Sequence, residues 1–89
     1  MILTLTKSFE RSLKKSSESE QVKQAVERLI LALERDQKPH GLGLKKMREE
    51  LWEIRAGLAT RVLFALLPGE IRLLLAGDHE QVKRYLRRD

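Results

Sequence analysis

The chain has 89 residues, 42% hydrophobic and 35% charged, with a net charge of +5 and no cysteine. That length suits one domain spanning 1–89 and excludes two; no apolar run approaches the roughly 18 residues that cross a bilayer, and the N-terminus lacks the order of a secretory signal. The absence of cysteine excludes disulfides and thiolate metal sites, His40 and His79 form no ligand pattern, and a cytoplasmic protein without metal or cofactor is the expectation.

Taken in chain order, residues 2–6 alternate apolar side chains with Thr4 and Thr6, the pattern of a half-buried strand. Ser8 is placed to cap a short helix carrying Phe9 and Leu13 at an i, i+4 spacing. A turn is expected near Ser16 and Ser17, and Ser17 opens a Ser-x-x-Glu capping box ending at Glu20. Val22, Ala25, Val26, Leu29, Ile30 and Leu33 then fall on one stripe of an amphipathic helix that ends near Asp36, before Pro39 and Gly41. The segment from His40 to Arg48 reads as a basic, glycine-containing loop that presents Lys45, Lys46 and Arg48.

Three strands follow, over about 51–56, 60–67 and 70–76, with Gly57 and Pro68-Gly69 as the turn signals. A short helix over 79–87 closes the chain, with Val82 and Leu86 at i, i+4. Facing decides the register. If Trp52, Ile54, Val62 and Phe64 share the core face, Ala56 pairs with Thr60 and Arg55 stands across from Arg61. The second hairpin then pairs Leu67 with Glu70, Phe64 with Leu73 and Arg61 with Ala76, and Ile71, Leu73 and Leu75 join the core face.

The opposite face holds Glu53, Arg55, Arg61 and Arg72, diluted by Leu63, Ala65 and Leu74. Like charges directly opposite each other on adjacent strands are destabilising. Such a pair points to an anion between them, with plain solvated charges as the alternative. The basic excess supports an acidic partner: residues 1–36 carry seven Lys/Arg against six Asp/Glu, and residues 37–89 carry eleven against seven. With one Trp, one Tyr and two Phe, the chain offers little surface for base stacking, so contact with a phosphate backbone is the more suitable mode.

This layout, with Leu51-Trp-Glu-Ile-Arg55, then Arg61-Val-Leu-Phe64, then Ile71 to Gly77 before a charged helix start, resembles the RelE/ParE toxins of toxin–antitoxin modules. The resemblance covers the whole chain by layout and about 45–85 by motif. It implies an α+β, RelE-like fold of order β-α-α-β-β-β-α, with an antiparallel sheet covered on one face by the two N-terminal helices. It also implies a cytoplasmic, ribosome-dependent endoribonuclease in which a ribose 2′-hydroxyl attacks the neighbouring phosphate. The family's cationic strand positions fall on Arg55 and Arg61, its cation at the last helix falls at or next to His79, and its terminal tyrosine matches Tyr85. A strand position that is lysine in the best-known RelE is Glu53 here. Some relatives use a carboxylate and a histidine as base and acid, which assigns that work to Glu53 and His79. Lys45, Lys46, Arg48, Arg72 and Lys83 are the expected RNA-backbone contacts. The implied partners are an antitoxin, the ribosome and messenger RNA, with no membrane. ParE relatives share the fold and act on DNA gyrase instead; a small basic RNA-binding module without toxicity is the third reading.

Overall fold

The computed structural model describes residues 1–37, 41 and 43–87; His40 lies outside them. Eight elements follow in order: β1 (Ile2–Leu5), α1 (Lys7–Lys15), α2 (Ser19–Glu34), β2 (Lys45–Lys46), β3 (Leu51–Arg55), β4 (Arg61–Leu67), β5 (Glu70–Gly77) and α3 (His79–Arg87). The strands form one sheet of order β1-β5-β4-β3-β2. It is antiparallel except at one edge, where β1 runs parallel to β5, so the all-antiparallel expectation is corrected there. Because α1 and α2 intervene between β1 and the meander, the connection is long enough for a parallel return.

α1 and α2 cover one face. Phe9, Val22, Ala25, Val26 and Leu29 pack with Ile54, Val62, Phe64, Ile71 and Leu73 into the main core. The stripe from Val22 to Leu33 therefore does what its periodicity requires. Leu63 and Val82 are also buried but stand outside that cluster. Leu63 alternates with the core residues Val62 and Phe64 along β4, so it points to the other face, and α3 packs on β4 and β5 there. The arginine face is thus partly roofed by the terminal helix.

Four local expectations need correction. First, α1 is capped by Thr6, whose hydroxyl oxygen accepts from the Phe9 N–H; Ser8 instead donates to the Leu74 carbonyl at 2.7 Å. Second, the Ser17–Glu20 capping box does not form: α2 starts at Ser19, and its N-cap, Glu18, makes no side-chain cap. Third, the basic loop contains a two-residue edge strand, in which Lys45 and Lys46 pair with Glu53 and Trp52. Fourth, a register shift between Leu63 and Phe64 leaves Leu74 unpaired opposite β4. Phe64 pairs with Leu73 and Leu67 with Glu70 as expected, yet Arg61 pairs with Gly77 instead of Ala76. Beyond such a bulge the alternation inverts. Ala76 therefore joins the core, while Leu75 moves to the other face opposite Leu63. The hydroxyls of Thr6 and Ser8 take up the Leu73 and Leu74 carbonyls at this irregularity.

Candidate functional site

The β3–β4 hairpin sets Arg55 directly opposite Arg61, in the register that the apolar alternation requires. The two side chains leave the sheet on the same face, but their settings differ. Arg61 donates from Nη1 to Glu53 Oε1 at 2.8 Å, and that carboxylate is only 2% exposed. Glu53 Oε2 is buried with no hydrogen-bond partner among the described residues. Arg55 is exposed and makes no ion pair or hydrogen bond among the described residues. The corner thus combines one guanidinium fixed by an internal carboxylate with one that is uncommitted.

A second carboxylate fixes the turn that joins them. Glu18, at the entrance to α2, accepts the N–H groups of Leu58, Ala59 and Thr60 and the Thr60 hydroxyl, the last at 2.6 Å. These donors, led by the Thr60 hydroxyl, hold the Glu18 carboxyl below its ordinary range. Its approach needs the bare backbone of Gly57, where a Cβ would lie 2.4 Å from Glu18 Oε2. The 57–59 loop closes with the Ala56 N–H donating to the Thr60 carbonyl. Reading the sequence alone missed Glu18, because its partners lie some forty residues away.

The other candidates are spread around this corner. His79 is exposed in the first turn of α3, just after Gly77, the partner of Arg61. The helix is started by a reciprocal cap: Asp78 Oδ1 accepts the Gln81 N–H and Gln81 Oε1 accepts the Asp78 N–H, both at 2.8 Å. Tyr85 and His79 stand on different sides of α3. Six residues on a helix turn by about 600°, which leaves them roughly 120° apart. Tyr85 lines a groove together with α1 residues, and Glu53, Arg55, Arg61 and His79 are not part of that lining.

Of the expected RNA contacts, Lys45 and Lys46 are exposed on β2, with the Lys46 ammonium 5.8 Å from the Trp52 ring centroid. Lys83 is exposed on α3. Arg48 is engaged inside the molecule, donating to the Leu86 carbonyl near the end of α3. Arg72 is held by Glu70 through two contacts of 3.0 and 3.3 Å, and that pairing keeps the Glu70 carboxyl below its usual value. Arg72 pairs with Ala65, four residues along β4 from Arg61, a separation of about 13 Å. It is not a third member of the arginine corner. Among the described residues, no three His, Asp or Glu side chains gather as metal ligands would, and no helix is long and apolar enough to cross a membrane.

No family model and no curated protein matches this sequence. Solved structures do match its fold. A copper-bound mutant toxin from Helicobacter pylori superposes with a TM-score of 0.71 at 18% identity, covering 92% of this chain and 98% of its own. YafQ from Escherichia coli gives 0.67 at 9% identity, over 90% and 94%. The toxin–antitoxin complex of YoeB and YefM from Staphylococcus aureus gives 0.64 at 13% identity, over 89% and 97%. The α+β, RelE-like architecture expected from the resemblance is the architecture this chain has.

Proposed function

We propose that this chain is the toxin of a toxin–antitoxin module and that it cleaves messenger RNA held in the ribosome. Its fold is similar to that of YafQ, of a protein described as a toxin and of one described as a toxin–antitoxin complex. The observation that carries the nuclease reading is the arginine corner, where Arg55 has no ion-pair or hydrogen-bond partner among the described residues and Arg61 is locked in place beside it.

In the proposed reaction, the ribose 2′-hydroxyl oxygen bonds to the adjacent phosphorus and gives up its proton to a base. The bond from phosphorus to the next 5′-oxygen breaks, and that oxygen takes a proton. The products are a 2′,3′-cyclic phosphate end and a 5′-hydroxyl end. Arg55, uncommitted in the free protein, is assigned to the phosphate oxygens as charge builds on them. Arg61, held by Glu53, presents its remaining N–H groups in a fixed direction. Glu53, buried in that pair, is assigned to positioning. His79, exposed beside the corner, is assigned to proton transfer. An antitoxin with an acidic or amphipathic segment would lie over this basic face, as YoeB is found in complex with YefM.

One observation favours a second reading. Glu53 already neutralises Arg61 within the molecule, which suits a ParE-like protein that inhibits gyrase without cutting RNA. Primer extension on cellular messenger after induction separates the two. New ends within codons, lost in Arg55→Ala and His79→Ala, support the nuclease. Growth arrest with intact messenger and impaired supercoiling supports the gyrase reading and ends the first.

A further inference from the structure

A groove of about 620 Å³ lies between α1 and α3, beside the second half of β5. α1 lines it with Ser8, Arg11, Ser12 and Lys15, which are spaced i, i+3, i+4 and i+7 and so form one helix face. α3 contributes Arg84 and Tyr85. Arg11 and Lys15 stand at i, i+4, where like charges repel, and Arg84 adds a third cation. None of the three has an ion-pair or hydrogen-bond partner among the described residues. The two carboxylates of the same lining are occupied elsewhere, Glu18 by the 57–60 loop and Asp78 by the first turn of α3.

We propose that this groove is a second anion site, shaped for the phosphodiester backbone of single-stranded RNA. The choice of RNA rests on the functional reading above; the charge of the ligand does not. Three cations stand against two carboxylates, Glu18 and Asp78, each already bound to N–H groups of its own chain, so the lining is net positive, and cations that meet phosphates lower the free energy of a bound polyanion by releasing its condensed counterions. The apolar groups of the lining are Ala59, Leu75, Ala76 and the ring of Tyr85. That leaves no broad apolar floor for the non-polar side of an acidic amphipathic helix, whereas a phosphate chain needs none. Thr60 and Gly77, the neighbours of Arg61 along the chain and across the sheet, also line the groove. RNA lying there leads toward the arginine corner, so the groove would hold substrate flanking the scissile bond.

The test is fluorescence anisotropy with a labelled, fully 2′-O-methylated oligouridylate, which binds but cannot be cleaved, titrated across a salt series. For Arg11→Gln/Lys15→Gln/Arg84→Gln, the slope of log affinity against log salt should flatten by about 2, since each lost single-strand phosphate contact removes about 0.7. Affinity at low salt should fall more than about tenfold, with the far-ultraviolet circular dichroism of the native protein retained. Arg55→Ala should change the slope by less than about 1. A triple variant that keeps both slope and affinity overturns the proposal. If an oligoglutamate displaces the RNA equally well at equal charge, the groove selects charge alone, and the RNA assignment fails in favour of an acidic protein segment. A chain that shows the expected slope change yet never cuts messenger leaves this site standing and defeats only the nuclease reading.

Discussion

The Glu53 carboxylate on β3 holds the Arg61 guanidinium on β4 at 2.8 Å, and Glu53 is almost wholly buried while Arg61 keeps 27% of its side chain exposed. The two arginines that face each other across the hairpin are therefore not equivalent. Removing Arg61 strands a buried charge, whereas removing Arg55 strands no partner among the described residues. Arg61→Ala should cost roughly 2–3 kcal/mol, less than the 3–5 typical of a fully buried pair because Arg61 is partly exposed. Arg55→Ala should leave stability within about 0.5 kcal/mol of the original. Urea unfolding of the two variants checks this, and equal losses would refute the asymmetry.

Activity should divide differently. Arg55→Ala is expected to slow RNA cleavage by more than about tenfold at unchanged stability, as for a group that stabilises developing charge. Because Arg61→Ala also weakens the fold, the cleavage rate of Arg55→Ala, measured well below its melting temperature, is the cleaner assay of the corner.

The Glu18 contact gives a pH dependence of defined sign. Its carboxyl sits below the ordinary glutamate value in the folded chain. Between the two values the unfolded state binds more protons, so the stabilisation is fully present above about 4.3 and is lost as pH falls through the folded value. Glu18→Gln, which keeps one acceptor and sets an amide donor against N–H groups, should lower the melting temperature at pH 7. The gap to the original chain should hold down to about pH 5.5 and close below about 4.3. A gap that widens in acid would contradict the contact.

Gly57→Ala should destabilise the hairpin because its new Cβ would meet the Glu18 carboxylate. The same change in a Glu18→Ala background should cost less, since the obstacle is gone. A double-mutant cycle by thermal melting reads this coupling directly. Strict additivity would mean that Gly57 is needed for some other reason.

Thr6 both caps α1 and donates its hydroxyl to the Leu73 carbonyl at 2.8 Å. Thr6→Ala should cost about 1–2 kcal/mol, seen as a lower urea midpoint with an unchanged slope. Ser8→Ala, which leaves that cap in place, should cost less.

Periodicity alone determined a good deal of this molecule. The stripe from Val22 to Leu33, the alternation of Trp52 and Ile54 with Val62 and Phe64, and the turn signals at Gly57 and Pro68-Gly69 required the elements, their facing and the Arg55–Arg61 register. A side-chain period of two excludes a one-residue slip once one face is buried, and the short loop at Gly57 excludes a slip of two. The apolar run Leu73-Leu74-Leu75 gave no such instruction, because three leucines in a row satisfy either face. In the folded chain a bulge falls there, its Leu73 and Leu74 carbonyls accept from the hydroxyls of Thr6 and Ser8, and Gly77 stands opposite Arg61. Contacts between residues far apart in the chain likewise decided that Glu53 neutralises Arg61, that Glu18 clasps the hairpin, and that Arg11, Lys15 and Arg84 share one groove. Hydrophobic burial repeats along the chain and leaves a pattern in the letters. Pairing of charges and hydrogen-bond donors depends on which distant side chains arrive at the same place, and only the packed chain brings them together.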